Sequence, residues 1–332
     1  MKLSPEQRRY DAMSPAGEKI SGMTWLMIGV LILFFPALAA LTVVFSQSQK
    51  APKDFKTQFQ LEGVRFAPAV SADKAKAKYQ DSSWDPTVLQ FYDEGPEFLP
   101  RETEFEVAPF PANDSPETAT DLETLRRYAA QARTPETLEM INFEKDMGTP
   151  LVSYEKAGLY SSAQNPDTDR LVTAAVVEAG YFLVKAKKHF LRVRPDFLAP
   201  DLKTVIPNPG HPSYPSGHAG QAQITGLILS DLDSKHRDIY MQHARAIGTR
   251  REIAGVHYPT DSIAGRKLAG EVYAKLLEVP KFQELFQEAK ENFVPADESA
   301  FAGYTPEDVN AVSVPAVPDN AEETGAEQEQ TP

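Results

Sequence analysis

The stretch SYPSGHAGQ, residues 213–221, combines three residues that can bind an anion and move a proton: Ser216, Gly217 and His218. They stand directly before an apolar run with the spacing of a helix. A helix N-terminus presents free N–H groups and a partial positive charge, and glycine lets a ligand approach the backbone closely. The stretch therefore fits either an anion site or an ordinary helix cap, in which Ser216 accepts from backbone donors.

A second histidine, His257, has a carboxylate four residues beyond it, at Asp261. In a first helical turn this spacing lets the carboxylate bond one imidazole nitrogen and fix the tautomer of the ring. An imidazole held in this way can act as a nucleophile or a base. The alternative is that Asp261 only caps the helix that begins near Pro259.

Two basic residues lie in the run KAKKHFLRVRP, residues 185–195. Lys187 and Arg194 are seven positions apart, which is two helical turns, so they project from one face. Pro195 disfavours helix at the residue before it, which predicts that Arg194 lies where the helix gives way to a loop. Taken alone, the run also fits a solvated basic helix end.

Arg251 continues a line of apolar residues on another predicted helix. Tyr240, Ala244, Ile247 and Arg251 follow at spacings of four, three and four, which places them on one buried face. An arginine in that position needs an anionic partner, because unpaired charge in the interior is unfavourable. Arg250 points about 100° away from this face.

Three cations, a helix N-terminus and two histidines together indicate a site for a tetrahedral oxyanion. No carboxylate cluster or histidine pair at metal-ligand spacing accompanies them, so we expect side chains, and not a metal, to neutralise the anion. The chain has no cysteine, which excludes disulfides, thiolate chemistry and cysteine-bound metals.

These motifs resemble those of the type 2 phosphatidic acid phosphatase and vanadium haloperoxidase superfamily. The signature of that superfamily is Lys-x6-Arg-Pro, then Pro-Ser-Gly-His, then Ser-Arg-x5-His-x3-Asp. Its parts fall here at Lys187–Pro195, Pro215–His218 and Arg251–Asp261, in order and with matching internal spacing. The resemblance covers residues 115–280, and within the superfamily the chain looks most like the bacterial class A nonspecific acid phosphatases.

The resemblance implies a role for each matching residue. His257 would attack phosphorus and form a phosphohistidine, with Asp261 holding its other nitrogen. His218 would protonate the leaving alkoxide and later activate water. The implied phosphate-binding set is Lys187, Arg194, Ser216, Gly217 and Arg251.

The chain departs from the signature at one position, since Arg250 stands where the family has serine. We expect this to leave the phosphate pocket intact and Arg250→Ser to be nearly neutral. The remaining histidines match no motif. We expect His189 and His211 to be structural or exposed, and His236 and His243 to be solvated on a polar helix.

The segments around the motifs differ in composition. From residue 115 the apolar residues recur at helical spacing without an alternating strand pattern, which predicts an all-α helical bundle. The resemblance implies the acid phosphatase/vanadium haloperoxidase type of bundle. The predicted segments are a short cytoplasmic N-terminus (1–22), a transmembrane anchor (23–45), an extended segment rich in proline and aromatic residues that packs along the catalytic domain (46–114), the catalytic helical domain (115–293) and an acidic disordered tail (294–332).

The anchor prediction rests on residues 25–45, an uncharged run of 21 residues, which is about the length that crosses a bilayer. A cleaved signal peptide is the alternative, but its apolar region is usually shorter, at about 7–15 residues. Basic residues lie on both sides of the run, so the charges leave its orientation close to a tie. We expect a single-pass protein of the inner membrane with its catalytic domain on the periplasmic or extracytoplasmic side.

The function that these features predict is an acid phosphatase that hydrolyses small phosphomonoesters without a cofactor. The alternatives are a lipid-phosphate phosphatase and a haloperoxidase, in which vanadate would be the cofactor and not an inhibitor. The net charge of −13 comes mostly from the tail, where ten acids and no lysine or arginine follow Lys290. No nucleic-acid partner is expected, and the oligomeric state stays open.

Overall fold

The computed structural model describes residues 73–304. Within this range the chain is all-helical, with no β-strand, which confirms the predicted fold class. Three short 3-10 turns accompany the α-helices. The α-helices are α1 (Pro86–Glu94), α2 (Pro116–Gln131), α3 (Pro135–Glu144), α4 (Leu151–Lys156), α5 (Pro166–Phe190), α6 (Pro195–Leu198), α7 (Gly217–Leu232), α8 (Arg237–Ile253), α9 (Pro259–Leu276), α10 (Pro280–Asn292) and α11 (Glu298–Phe301).

Proline marks the start of most of these helices. Seven helices of the described range begin at proline, where the missing N–H would have had no partner in the helix. At α2 the Ser115 hydroxyl accepts from the Thr118 N–H at 3.2 Å, which is the hydrogen bond of an N-cap. At the other end of α5, Leu191 turns into the left-handed region with φ 55°, so this helix ends four residues before Arg194.

The centre of the bundle is α7, which packs against α5, α8 and α9. Helix α7 has buried residues on all of its faces, which is the pattern of a helix in the middle of a core. Helix α5 has 25 residues and is therefore about 37 Å long. A Cβ at Gly265 of α9 would lie 2.3 Å from the Ser216 carbonyl oxygen, so only glycine lets α9 approach the start of α7 this closely.

A second apolar cluster supports the loops on either side of the site. It joins α2 and α3 to the loop after α6 and to the end of α8. Its buried members are Leu125, Tyr128, Ala132, Ile141, Ala199, Leu202, Ile206, Ile253, Ala254 and Val256.

Residues 96–114, which we call the strap, run without helix across the bundle. The buried Glu178 carboxylate of α5 accepts the backbone N–H groups of residues 97–99, and this fixes one end of the strap. Phe105 packs edge-on against Phe182 with ring centroids 4.9 Å apart. The Tyr214 hydroxyl donates to the Ala108 carbonyl, so the strap also contacts the loop that leads into α7.

The structure differs from the predicted segments at two places. Helix α1 lies inside the segment that the sequence predicts to be extended, and Phe91 of that helix is buried. The predicted tail is ordered at its start, because α11 packs on the bundle through the buried Phe301.

Among residues 73–304 no helix has the length and apolarity needed to cross a membrane, and the predicted anchor at 23–45 lies outside the described residues.

Candidate active site

The three sequence motifs converge at the N-terminus of α7. They come from the end of α5, the start of α7 and the junction of α8 with α9, which are far apart in the sequence. Three hydrogen bonds join them pairwise: Lys187 Nζ donates to the Pro215 carbonyl at 2.5 Å, Arg194 Nη1 to His257 Nε2 at 3.0 Å, and the Ser216 N–H to the Asp261 carbonyl at 2.9 Å.

Ser216 is the N-cap of α7, and its hydroxyl accepts from the Ala219 N–H at 3.4 Å. The cap interpretation therefore describes a contact that is present. It leaves room for a ligand, because Gly217 and His218 are partly exposed at the same helix end. Apart from chain neighbours and the backbone of α7 itself, no described atom lies within 4 Å of where a Cβ on Gly217 would stand.

The hydrogen bonds of His257 assign its tautomer. Arg194 can only donate, so its 3.0 Å contact places the lone pair of the ring on Nε2. The proton is then on Nδ1, which donates to Asp261 Oδ2 at 3.0 Å. Burial and the nearby Arg194 charge lower the pKa of His257 well below its ordinary value, against the opposing effect of Asp261. The ring is thus neutral, and Nε2 carries the lone pair that a nucleophile needs once Arg194 turns from it to a bound anion.

Asp261 is fully buried but has donors on both oxygens. Arg192 Nη1 lies 2.7 Å from Oδ1, while the Ser213 hydroxyl and the Tyr258 N–H donate to Oδ2. Burial raises the pKa of Asp261, yet Arg192, His257 and Ser213 together hold it below its ordinary value. The carboxylate is therefore ionised and can orient His257.

Arg251 lies 2% exposed on the buried face of α8, together with the apolar residues predicted to share that face. Within the described part of the chain its Nε and Nη1 atoms have no hydrogen-bond partner. Burial and the Arg194 charge lower the pKa of Arg251 to about 10, so it stays charged at neutral pH. A buried cation with unused N–H groups is unfavourable unless an anion binds there.

Lys187 is buried at the loop that leads into α7, and its role in phosphate binding stays a prediction. Its ammonium group donates to three carbonyls of one loop, those of Pro212, Ser213 and Pro215, at 2.9, 3.2 and 2.5 Å. These contacts match the three donors of a lysine. Lys187 therefore holds the loop that delivers Ser216 to the site.

Sequence reasoning missed Arg192 and Ser213 because Arg192 falls at an unspecified position of the first motif, Ser213 precedes the second motif, and neither continues a helical stripe. Arg192 is fully buried and also stacks on the ring of Tyr258, 3.7 Å from its centroid. It lies in the short extended stretch after α5, where helical periodicity no longer predicts which side chains turn inward. His211 is likewise buried beside the site, and its carbonyl accepts from Arg194 Nη2 at 3.0 Å.

His236 and His243 are buried, so the prediction that they are solvated is wrong. Their exposed fractions are 8% and 2%. The reason is the ordered start of the C-terminal tail, which covers this side of α8. Phe301 stacks on His236 with ring centroids 3.7 Å apart, and the Tyr304 hydroxyl contacts His243 Nδ1.

Arg250 is also buried, with 3% exposed. It does turn away from Arg251, but α3 packs on this second face of α8 and supplies the buried Glu144 as an ion-pair partner. The expectation that Arg250→Ser would be nearly neutral therefore loses its basis, since serine would leave Glu144 as a buried charge without this partner.

Comparison with known families decides the classification, because residues 170–277 match the PAP2 superfamily. The chain contains a PAP2 superfamily domain. This confirms the resemblance drawn from the motifs. All the predicted site residues, from Lys187 to Asp261, lie within the matched range.

Relatives of the chain include two bacterial enzymes named non-specific acid phosphatase. The one from Providencia stuartii is 29% identical over 133 residues, which are 39% of this chain and 54% of the relative, so the match spans about half of that enzyme. The one from Salmonella typhimurium is 25% identical over 57% of this chain and 79% of the relative. Among solved structures, a bacterial vanadium-dependent iodoperoxidase has a TM-score of 0.46 and 15% identity, over 76% of this chain and 65% of its own.

Proposed function

We propose that the protein is a phosphatase of the acid-phosphatase type, which hydrolyses phosphomonoesters through a phosphate on His257. Two observations together carry the proposal. The buried Nε and Nη1 of Arg251 have no hydrogen-bond partner in the described range. His257 is neutral and has its lone pair on Nε2. A bound phosphoryl group would accept the unused N–H groups and place phosphorus within reach of the nucleophile.

In the first step His257 Nε2 attacks phosphorus, and the bond from phosphorus to the ester oxygen breaks. Arg251, Arg194 and the N–H groups at the start of α7 stabilise the charge on the phosphoryl oxygens, which grows toward the transition state. His218 donates a proton to the departing alkoxide. Asp261 stabilises the positive charge that develops on His257.

In the second step a water molecule replaces the alcohol. His218, now neutral, takes a proton from this water as its oxygen attacks phosphorus. The bond between His257 Nε2 and phosphorus breaks, which releases inorganic phosphate and restores the neutral ring. Lys187 keeps the loop before α7 in place through both steps.

The function is tested by assaying p-nitrophenyl phosphate beside bromide oxidation by peroxide, each with and without vanadate. We expect phosphate ester hydrolysis that persists in EDTA, because arginine N–H groups and not a metal meet the phosphoryl charge. Vanadate should inhibit by accepting the same N–H groups. Phosphatidic acid in mixed micelles is the third substrate and addresses the lipid alternative. Bromide oxidation without ester hydrolysis, or loss of all hydrolysis in EDTA, would contradict the proposal.

A pH dependence follows from the environment of His218. Burial and the charge of Arg251 lower the pKa of its ring well below the ordinary value in the free site. A bound dianion opposes the field of Arg251 and should raise that pKa, so the complex binds one more proton than the free protein. Affinity for a dianion should therefore rise as the pH falls, by up to about tenfold per unit.

Sulfate suits this measurement because it keeps both charges across the neutral and mildly acidic range. Titration calorimetry in buffers of different ionisation enthalpy should show proton uptake on sulfate binding, and His218→Gln should remove it. Uptake that persists in His218→Gln would assign the proton to another group.

We further propose that residues 25–45 anchor the protein in the inner membrane with the PAP2 domain outside the cytoplasm. The support is the uncharged run of 21 residues. Alkaline phosphatase fused after the last residue should be active, and green fluorescent protein at the same place should be dark. The opposite pair of results would reverse the orientation, and release of the protein by osmotic shock would exclude the anchor.

A further inference from the structure

A backbone carbonyl of α3 contacts the ring of His218. The carbonyl oxygen of Glu144, the last residue of α3, lies 3.2 Å from His218 Nε2. A carbonyl only accepts hydrogen bonds, so Nε2 carries a hydrogen in this arrangement. The nitrogen left to exchange a proton with the substrate is then Nδ1. The placement of Glu144 therefore decides which nitrogen of His218 faces the chemistry.

The side chain of Glu144 is held by two other helices. It is fully buried, and Arg250 of α8 approaches it with two nitrogens, Nε at 2.7 Å and Nη2 at 2.5 Å. From α4 the Ser153 hydroxyl donates to Oε1 at 2.6 Å. We call Glu144, Arg250 and Ser153 the clamp.

The clamp is itself supported from the ordered start of the C-terminal tail. Ser153 Oγ lies 2.9 Å from His243 Nε2, and the other nitrogen of His243 contacts the Tyr304 hydroxyl. Ser153 is fully buried, so its hydroxyl is restricted to these polar neighbours. A buried ion pair of this kind adds little net stability, whereas its fixed geometry can specify where a neighbouring group lies.

We propose that the clamp positions His218, by fixing the Glu144 carbonyl that binds Nε2 and thereby presenting Nδ1 to the leaving group. The inference rests on the proposed phosphatase function. It gives Arg250, which stands where the family has serine, a role beside the phosphate-binding Arg251. Arg250 acts only through Glu144 and His218 and does not touch the substrate.

The test uses the fact that only poor leaving groups need a proton from His218. Arg250→Ser should slow hydrolysis of alkyl phosphates by about tenfold to a hundredfold, because misplaced general acids lose much of their effect. The rate of phosphoenzyme formation from p-nitrophenyl phosphate, whose phenolate leaves without a proton, should change by less than about twofold, and rapid-quench measurement of the first turnover isolates this step from the hydrolysis that follows. Ser153→Ala should produce the same selectivity more weakly, since it removes one hydrogen bond and keeps the ion pair.

A double-variant cycle separates positioning from general damage to the fold. In a His218→Ala background, Arg250→Ser should cause no further loss on alkyl phosphates, because the group that it positions is absent. Arg245→Ser is the matched control, since Arg245 lies on the same helix and is exposed. It should leave both substrates unaffected. Should Arg250→Ser fail to fold, Arg250→Lys and Ser153→Ala carry the same comparison.

The outcomes distinguish this inference from the proposed function. A wild-type protein that hydrolyses neither substrate contradicts the function. If the wild-type protein hydrolyses both, the clamp alone is overturned by an equal loss of phosphoenzyme formation from good and poor leaving groups, by no loss, or by a loss that persists in His218→Ala. Nitrogen-15 spectra of the histidines offer a readout without turnover: wild-type His218 should carry its hydrogen on Nε2, and finding it on Nδ1 would also overturn the inference.

Discussion

Replacing His257 with alanine should stop turnover of every phosphomonoester, including esters whose leaving groups need no proton, because the proposed phosphoenzyme could not form. His218→Ala has a different expected result. It still forms the phosphoenzyme from p-nitrophenyl phosphate but hydrolyses it slowly, since the base for water is missing. Acid-labile phosphate should then accumulate on His257, and rapid-quench mass spectrometry of the peptide that contains it measures this.

His189→Ala is the control for this pair of variants, because His189 is exposed on the outer side of α5. It should pass through both steps at the wild-type rate. Phosphate trapped on any residue other than His257, or steady turnover by His257→Ala, would contradict the mechanism. A loss of phosphoenzyme formation in His218→Ala from p-nitrophenyl phosphate would show that His218 does more than move protons.

Arg251→Met should lower kcat by about a hundredfold, equivalent to about 3 kcal/mol of lost transition-state stabilisation. The same change should leave the melting temperature unchanged or raise it. The reason is that Nε and Nη1 of Arg251 have no hydrogen-bond partner among residues 73–304. A methionine of similar length therefore removes a buried charge without breaking a hydrogen bond at either atom. Steady-state kinetics and thermal unfolding measure the two effects separately.

Arg245→Met, on the exposed side of the same helix, is the matched control and should change neither quantity. A fall in the melting temperature of Arg251→Met with kcat intact would mean that Arg251 supports the fold instead of binding phosphate. If only KM rises, Arg251 binds the ground state and the transition state equally well.

The sequence was sufficient to predict those contacts and buried positions of the site that depend on the spacing of neighbouring residues. Helical periodicity placed Arg251 on the buried face of α8, and a spacing of four residues brought Asp261 to the ring of His257. Proline rules located the loop at Arg194. In each case neighbours within one or two helical turns determine the geometry, which is the range over which periodicity carries information.

Partners that are distant in the sequence could not be predicted in this way. Glu144 and Arg250 are 106 positions apart, and nothing local to either residue indicates the other. The same holds for His243, whose polar helix face is covered by Ser153 of α4 and by Tyr304 of the tail, both distant in the sequence. Tertiary packing, and not helix propensity or charge pattern, decides the burial of such residues.

The ion pair of Glu144 with Arg250 also bears on the one position at which the chain departs from the superfamily signature, where arginine replaces serine. Arginine arriving first would have placed an unpartnered cation in the interior, and a glutamate arriving first would have done the same with an anion. A buried charge without its partner costs about 3–5 kcal/mol, which is comparable to the whole stability of a marginal domain. Either residue without the other should therefore lower the free energy of unfolding. We expect natural variants to retain both residues or neither, so that an acid in the last turn of α3 should accompany arginine before the third motif wherever it occurs.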